Sequence, residues 1–438
     1  ILREIGGVRY MYDVEPAKIG EKIMKVLMFG WEFPPFNKGG LGTACYGLTR
    51  GLKNKNVEVT FVVPRAPKGI TGKYVNLLSA NDLSKFTFKE IISPLTPYMT
   101  QEEYHHMILS HSPSSKDNNL YGKDLFSEVE RYAQKASLIA TNTEYDVIHA
   151  HDWLTYKAGI AAKRVSGKPL VVHMHATEFD RTGGNGINQY VYDIEREGMH
   201  AADKVIAVSN FTKNKVIEHY GVPPEKIEVV HNAVDFPENT FSNEELGLKE
   251  KEKVVLFLGR ITLQKGPEYF LYAAKMVADY MDNVTFVVAG SGDMQPFLIN
   301  KAAELGIADR MLFTGFLRGR DIDRAYQMAD LYVMPSVSEP FGITPLEAMR
   351  NNTPVLISNQ SGVSEVINHC LKVDFWDIHD IASKMVSVLE HKELQETLLE
   401  FGGREIKKFS WDIPAEKCLN VYNNVVSTQK QQFQRIAI

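Results

Sequence analysis

Short runs rich in Val, Ile, Leu and Phe recur along the chain and alternate with stretches of helical pattern. In the first half they occupy 25–31, 58–64, 146–151, 169–175, 204–209 and 227–234, and in the second half 254–260, 284–290, 311–316, 331–336 and 354–359. Strands that alternate with helices build parallel sheets from βαβ units. The pattern therefore predicts an α/β chain with two Rossmann-like, doubly wound domains that face each other across a cleft.

The chain has 438 residues, which is too long for one ordinary hydrophobic core. A polar, charged stretch separates the two sets of apolar runs, and we interpret it as a linker. The predicted divisions are an N-terminal extension (1–22), a first domain (23–235), the linker (236–253), a second domain (254–413) and a C-terminal helix that returns to the first domain (414–438). Residues 65–145 exceed the usual connection length, so they form either an inserted lid or acceptor-side element, or a peripheral decoration.

Composition excludes several classes of partner. With 49 Lys and Arg against 54 Asp and Glu, the formal charge of −5 gives no general attraction to nucleic acid or to anionic membranes. No apolar run approaches the length of a membrane span, so we expect no stable membrane insertion. The three cysteines lie far apart without CxxC spacing, which indicates reduced thiols and a cytoplasmic location.

Charged and polar residues stand where the predicted strands end. Arg260 ends one run and Lys265 follows it, Glu339 follows another run, and His175 ends a run of the first half. Ligands of open parallel sheets bind at the carboxyl edges of the strands. An Arg fork and a Lys point charge can neutralise a departing diphosphate without a metal ion. Two ordinary surface cations are the alternative interpretation.

The segment SEPFGITPLEAMR holds two glutamates eight positions apart, Glu339 and Glu347. Thr344 followed by Pro345 and Glu347 predicts a helix with Thr344 as N-cap, Pro345 at N1 and Glu347 at N3. The free N–H groups of such a helix start favour a phosphate group, while the two carboxylates would bind hydroxyl groups. A plain capping box and a solvated loop acid remain the alternative. The predicted binding residues at this helix start are Gly342, Ile343, Thr344 and Glu347.

Two His-x-His pairs, His149/His151 and His173/His175, each place both side chains on one face of a strand. Four imidazoles could in principle bind a metal ion. Because only Asp152 supplies an acidic neighbour, we expect no metal, and we expect His175 and Asp152 to contact sugar at the cleft.

Weaker motifs complete the set. The turn Gly39–Gly40 lets backbone approach a ligand, although a tight strand-to-helix turn explains it equally well. The GSGD segment at 290–293 is compatible with a plain turn capped by Asp293. Phe316 and Leu317 could pack on a nucleobase or form the edge of a core.

In combination, the motifs KGGLG, HAHDW, HMHATEFDR, VSNFTK, GRITLQKG, GSGD, TGFL and EPFGITPLE resemble those of retaining GT-B glycosyltransferases related to glycogen and starch synthases and to sucrose-phosphate synthase. The resemblance covers nearly all of residues 23–425. The glycogen-synthase side of this family is the one most similar to the segment WEFPPFNKGGLGTACYGLTRGL and the later HDW. This chain has EPFG where bacterial glycogen synthases usually have EPCG.

The resemblance implies a role for each matching residue. The first domain would take the acceptor and the second the nucleotide sugar, with no metal and no other cofactor. Arg260 and Lys265 would neutralise the leaving diphosphate with help from the Gly39–Gly40 backbone. The sugar and ribose contacts would come from Glu339 (donor-sugar hydroxyls), Glu347 (ribose), His175 (hydroxymethyl group) and Asp152 (acceptor side).

The expected reaction transfers an α-glucosyl unit from ADP- or UDP-glucose to the non-reducing end of an α-1,4-glucan. The alternatives are a phosphosugar, lipid or cell-wall acceptor, a non-catalytic nucleotide-sugar-binding regulatory subunit, and an epimerase or hydrolase on the same fold. No residue in the sequence distinguishes adenine from uracil, and none indicates an oligomeric state.

Overall fold

The computed structural model describes residues 23–33, 39–63, 125–236 and 252–436, together with the backbone of 3–5, 8–10 and 86–90. Near the N-terminus, β1 (Arg3–Ile5) and β2 (Val8–Tyr10) pair as antiparallel strands. The remaining strands form two parallel sheets. Most of the predicted linker, and the polar segment at 110–119, lie outside the described residues.

Parallel pairing links all the strands in the sheet of the first domain. The strands are β3 (Lys25–Phe29), β4 (Glu58–Val63), β5 (Phe86–Glu90), β6 (Val147–His151), β7 (Leu170–Met174), β8 (Lys204–Ala207) and β9 (Ile227–Val229). Their spatial order is β5-β4-β3-β6-β7-β8-β9. The helices are α1 (Gly40–Asn54), α2 (Leu125–Thr141), α3 (Trp153–Ser166), the single turn α4 (Glu178–Arg181), α5 (Gln189–Ala201) and α6 (Asn210–Tyr220). The strand order reverses between β3 and β6, which is where such sheets bind ligands.

The second domain repeats this plan with a sheet of six parallel strands. They are β10 (Lys253–Leu258), β11 (Val284–Ala289), β12 (Met311–Gly315), β13 (Leu331–Met334), β14 (Val355–Ser358) and β15 (Leu371–Val373), in the order β12-β11-β10-β13-β14-β15. The helices are α7 (Pro267–Tyr280), α8 (Gln295–Glu304), α9 (Arg320–Met328), α10 (Ile343–Arg350), α11 (Ile378–Glu390) and α12 (Lys392–Glu405). The switch point lies between β10 and β13.

The predicted α/β fold with two Rossmann-like domains is confirmed. Each predicted apolar run coincides with a strand, and the strand ends between zero and five residues before the end of the run. Strands β6 and β7 are buried along their whole length, as expected for strands covered by helices on both faces. The sequence did not predict β5 and β15, because FTFKE is not a continuous apolar run and LKV has only three residues.

The last helix, α13 (Asp412–Ile436), returns to the first domain and packs on α1. Contact is close because α1 presents glycine at two positions. A Cβ at Gly47 would lie 2.0 Å from the Trp411 ring, and one at Gly51 would lie 2.4 Å from the Trp411 carbonyl oxygen. The predicted return of the C-terminal helix is therefore confirmed, with a start at Asp412.

The long segment 65–145 is described in two parts. Strand β5 extends the first sheet beside β4, and α2 packs along α3. Both parts belong to the framework of the first domain. The rest of the segment lies outside the described residues, so the lid or acceptor-side element and the peripheral decoration stay open as predictions for it. No helix within the described ranges is long and apolar enough to cross a membrane.

Candidate active site

Glu339 lies in the loop that follows β13, at the carboxyl edge of the second sheet. Its side chain is 8% exposed, and its backbone forms a parallel bridge to Ser361. The carboxylate accepts hydrogen bonds from Lys265 Nζ at 2.5 Å and from Ser336 Oγ at 3.2 Å. The sequence separates Lys265 and Glu339 by 74 positions, and the fold joins them into one ion pair.

Arg260 and Lys265 belong to the turn between β10 and α7. Arg260 donates from Nη2 to Gln264 Oε1 at 2.9 Å, and Gln264 Nε2 donates to the carbonyl oxygen of Ser338 at 3.1 Å. Gln264 is 3% exposed. This buried amide therefore connects the turn that carries both cations to the loop that carries Glu339.

Glycine allows the turn after β11 to lie against the turn that carries Arg260. Gly290 has a φ of 140°, and a Cβ there would lie 1.8 Å from the carbonyl oxygen of Gly259. A Cβ at Gly292 would lie 2.2 Å from the carbonyl oxygen of Ile261. The GSGD segment thus supports the Arg260 turn. The helix that follows, α8, has Met294 as N-cap and no side-chain capping bond, so Asp293 does not cap this helix.

The predicted capping arrangement at α10 is wrong. The helix begins at Ile343 with Gly342 as N-cap, and no side chain caps it. Gly342 adopts a φ of 100°, a conformation that glycine reaches without strain, and the helix therefore starts earlier than the Thr-Pro pair predicted. The Thr344 hydroxyl instead accepts a hydrogen bond from Tyr332 at 2.8 Å. The amide groups of Gly342, Ile343 and Thr344 stand at a helix start without a side-chain cap.

Glu347 lies farther along the same helix than the predicted N3 position. Its carboxylate accepts a hydrogen bond from the Tyr326 hydroxyl at 3.1 Å, and burial raises the pKa of Glu347 above its ordinary value. Phe316 is 46% exposed, with the Arg318 guanidinium 5.3 Å from its ring centroid. Leu317 is partly buried against the hydrophobic core, as the core-edge alternative predicted.

His175 follows β7 at the carboxyl edge of the first sheet and is partly buried. The Asp152 side chain fixes the backbone at this position: its Oδ1 accepts hydrogen bonds from the backbone N–H of His175 at 2.7 Å and of Ala176 at 3.3 Å. Burial raises the pKa of Asp152 to about 6, and its φ of 57° is unusual for a residue other than glycine. These contacts give Asp152 a supporting role for His175, and a contact to the acceptor stays a prediction.

A second support for His175 comes from α4. Thr177 and Asp180 form a capping box at the helix start. Arg181 Nη1 donates to the carbonyl oxygen of Ala176 at 2.7 Å, and the same guanidinium pairs with Glu178 and Glu195. The loop after β7 is therefore fixed at both of its ends.

The two domains meet at the loop that carries Glu339. Ser338 Oγ donates to Asp180 Oδ1 at 2.5 Å, and Lys215 Nζ lies 2.6 Å from the same hydroxyl and 2.7 Å from the same carboxylate. Ser209 donates to the carbonyl oxygen of Pro340. These contacts hold the Glu339 loop of the second domain against α4 and α6 of the first.

The Gly39–Gly40 turn starts α1 beside the switch point of the first sheet. Gly39 is the N-cap, with no side-chain capping bond. Gly40 is exposed, and a Cβ there would meet nothing within 4 Å. The Gly42 amide, in the first turn of α1, donates to the buried carboxylate of Glu32 at 2.8 Å, so this amide is already occupied.

Residues 238–403 match the family model of glycosyl transferases group 1, and residues 38–236 match that of glycosyltransferase family 4. An uncharacterised glycosyltransferase of Methanocaldococcus jannaschii is 31% identical over 415 residues, which make up 91% of this chain and 98% of that protein. The chain belongs to the group 1 glycosyltransferases.

Other similarities place this glycosyltransferase within its family. The glycogen synthase of Mycobacterium tuberculosis is 26% identical over 435 residues, with 95% of this chain and 98% of that protein covered. Sucrose-phosphate synthase of Thermosynechococcus elongatus superposes with a TM-score of 0.73 at 18% identity, over 92% of this chain and 100% of the other. HepE of Anabaena, solved with UDP and glucose, superposes with a TM-score of 0.68 at 18% identity, again over 92% of this chain and 100% of the other. The fold is of the GT-B type.

Sequence reasoning missed the residues that support the site. Gln264, Asp180, Lys215 and Ser338 were given no role, although GRITLQKG contains Gln264, HMHATEFDR contains Asp180 and SEPFGITPLEAMR begins with Ser338. One signal was present, because T-x-x-D in ATEFD is close to a capping box. The contacts of Lys215 and Ser338 across the domains have no sequence signal, since 123 positions separate them.

Proposed function

We propose that this glycosyltransferase moves an α-glucosyl unit from ADP- or UDP-glucose to the non-reducing end of an α-1,4-glucan, with retention of configuration and without a metal ion at the diphosphate. The observation that carries the proposal is the Lys265–Glu339 pair beside Arg260 at the carboxyl edge of the second sheet. The resemblance to glycogen synthase along almost the whole chain supports the acceptor, and a neighbour solved with UDP and glucose supports the donor.

In this proposal the second domain holds the nucleotide sugar. Arg260 and Lys265 neutralise the charge that develops on the diphosphate as its bond to glucose breaks. The uncapped start of α10, at Gly342 and Ile343, offers N–H groups to the same anion. Since Lys265 already pairs with Glu339, binding of the donor redistributes Lys265 between a carboxylate and the phosphate oxygens.

Carboxylates and an imidazole would orient the two sugars of the donor. Glu339 accepts from the glucose hydroxyl groups, and Glu347 accepts from the ribose hydroxyl groups. His175 faces them from the first domain. Burial lowers the pKa of His175, so the imidazole is neutral. Its Nε2 is bonded to His151, which leaves Nδ1 to contact the hydroxymethyl group. Phe316, with its exposed ring, packs on the nucleobase.

Closure between the domains excludes water from the reacting centre. The contacts of Ser338 with Asp180 and Lys215 hold the donor loop against the first domain, where the Gly39–Gly40 turn and Asp152 border the acceptor side. Excluding water limits hydrolysis of the donor while the acceptor hydroxyl attacks.

A panel of donors and acceptors tests the proposal. ADP-glucose and UDP-glucose, each radiolabelled, are incubated with glycogen, inositol phosphate or no acceptor, with and without a chelator. We expect nucleoside diphosphate release that depends on glycogen and is unchanged by the chelator. An α-specific glucosidase should release the label from the product, which reports retention.

Other outcomes identify the alternatives. Transfer to a phosphosugar but not to glycogen would support the proposed donor site and would identify a phosphosugar as the acceptor. Diphosphate release without an acceptor indicates a hydrolase, and donor binding without release indicates a regulatory subunit. Arg260→Ala should lower kcat by about 10²–10³-fold, and near-normal turnover in this variant would contradict the role of the diphosphate clamp.

A further inference from the structure

A stack of four histidines lies behind the candidate active site, inside the first domain. The ring centroids of His149 and His151 are 4.2 Å apart, and those of His173 and His175 are also 4.2 Å apart. The strand register sets His151 beside His173, so all four rings lie on one face of the sheet. The sulfur of Cys45, on α1, lies within 4.8 Å of a nitrogen of His151 and of His175. The proposed transfer uses only His175 among these residues.

Two overlapping sets of three side chains bring possible ligand atoms together, and existing hydrogen bonds favour one of them. One set is His149, His151 and His173. The rings of His149 and His173 are nearly parallel, at 7°, and those of His149 and His151 meet at 27°. The lone pair of an imidazole nitrogen lies in its ring plane, so lone pairs of parallel rings do not converge on one ion. His149 Nδ1 is also bonded to the Tyr422 hydroxyl at 2.6 Å.

The other set, Cys45, His151 and His175, already places two ring nitrogens next to each other. His151 Nδ1 and His175 Nε2 are 2.9 Å apart and share a hydrogen bond. Two nitrogens that each lie about 2.05 Å from a tetrahedral zinc ion are about 3.3 Å apart. The two nitrogens would therefore have to move apart by about 0.4 Å to bind the ion. Cys45 approaches from α1, a different element. One thiolate with two imidazoles is a donor set that Zn²⁺ prefers.

Negative charge near Cys45 would offset the charge of the ion. Burying a cation away from water is costly unless it is paired. The carboxylates of Glu32 and Asp152, which are 3% and 4% exposed, lie close enough to interact electrostatically with the Cys45 thiol. The same carboxylates would stabilise a cation bound at that sulfur. His175 is partly exposed and gives the ion a path from the cleft.

We propose that Cys45, His151 and His175 form a Zn²⁺ site whose occupation inhibits the enzyme. On binding, the Cys45 thiol releases one proton to solvent, and the proton shared by the two imidazoles moves to the other nitrogen of its own ring. His151 Nε2, which has no hydrogen-bond partner among the described residues, can hold that proton. The inhibition rests on the proposed function, because a metal-bound His175 no longer reaches the hydroxymethyl group of the donor.

Titration of the chelator-treated full chain with Co²⁺ tests the site, and it requires no measurement of enzyme activity. We expect the near-ultraviolet band of a thiolate bound to Co²⁺, together with the visible bands of tetrahedral cobalt, and we expect Zn²⁺ to abolish both. Cys45→Ala should lose the thiolate band and bind cobalt at least about tenfold more weakly. Cys418→Ala removes another fully buried cysteine, on α13, and should behave like the wild type.

Two results would overturn the site: a wild-type spectrum without a thiolate band, or a thiolate band that survives in Cys45→Ala. His151→Asn, which leaves Cys45 intact, gives an independent test and should also weaken cobalt binding. His149→Gln should not, because His149 lies outside the chosen set, and a loss of binding there would favour the other three histidines.

Inhibition is measured separately. Zn²⁺ should inhibit the wild type in competition with the nucleotide sugar, and half-inhibition of Cys45→Ala should need at least about ten times more Zn²⁺. Equal sensitivity of the two proteins would overturn the inhibitory role. If no donor and acceptor support activity, the proposed function fails while the cobalt titration still decides the site.

Discussion

Replacing Lys265 by Ala separates the structural role of the Lys265–Glu339 ion pair from its role in transfer. The side chains of Glu339 and Lys265 are 8% and 20% exposed. Without Lys265, the Ser336 hydroxyl is the side-chain donor that remains to this buried carboxylate among the described residues. Removing one partner of a fully buried pair costs about 3–5 kcal/mol. Because Lys265 is partly solvated, we expect about 2–3 kcal/mol, or roughly 4–12 °C in Tm.

Glu339→Gln supplies the second arm of a double-mutant cycle. Combined with Lys265→Ala it removes the uncompensated charge, so the double variant should return to within about 1 kcal/mol of the wild type. Turnover should not return. Lys265→Ala should lower kcat by about 10²–10³-fold, and the double variant should be no faster, because both lack the Lys265 ammonium group and keep only Arg260 for the leaving diphosphate.

Thermal unfolding and initial rates with saturating donor and glycogen measure the two effects. Lys275→Ala is the matched control, since it breaks a pair with Asp279 on the exposed side of α7 and should cost only about 0.3–0.5 kcal/mol. A double variant as unstable as Lys265→Ala would refute the electrostatic account of the pair. Recovery of kcat in the double variant would refute the diphosphate role of Lys265.

Two further perturbations address the supports of the site. The Asp152 carboxyl has its pKa raised from 3.8 to about 6, so its ionisation destabilises the folded state progressively as pH rises from about 4 through about 6. Asp152→Asn keeps an acceptor for the backbone N–H groups of His175 and Ala176. Above pH 6 its Tm should exceed that of the wild type by the equivalent of about 2–3 kcal/mol, and this difference should disappear below about pH 4. Parallel pH profiles of Tm for the two proteins would contradict this. Gly290→Ala should lower both Tm and kcat, because its Cβ would clash with the carbonyl oxygen of Gly259. Gly306→Ala is the control: Gly306 has a φ of 71° and nothing within 4 Å of a Cβ, so this change should cost only backbone strain of about 1 kcal/mol. Equal losses of Tm and kcat in the two variants would refute the role of the Gly290 contact.

Much of the fold could be predicted from the sequence, because apolar periodicity reports local structure and burial directly. Continuous runs such as LVVHM read as strands covered on both faces, and every predicted run contains a strand. The strand-end position of Arg260, Glu339 and His175 followed from the same pattern. Prediction failed where a single backbone angle decided the outcome, as at Gly342, whose φ of 100° starts α10 before the Thr-Pro pair.

The sequence by itself determined the two parallel sheets and the carboxyl edges on which the charged residues stand, since side-chain alternation and strand direction are local properties. Only the tertiary structure decided which of those residues meet. Lys265 pairs with Glu339 across 74 positions, Ser338 reaches Asp180 across 158, and His151 reaches His175 across 24. Such contacts depend on strand order and on the position of one domain against the other, which no local pattern encodes.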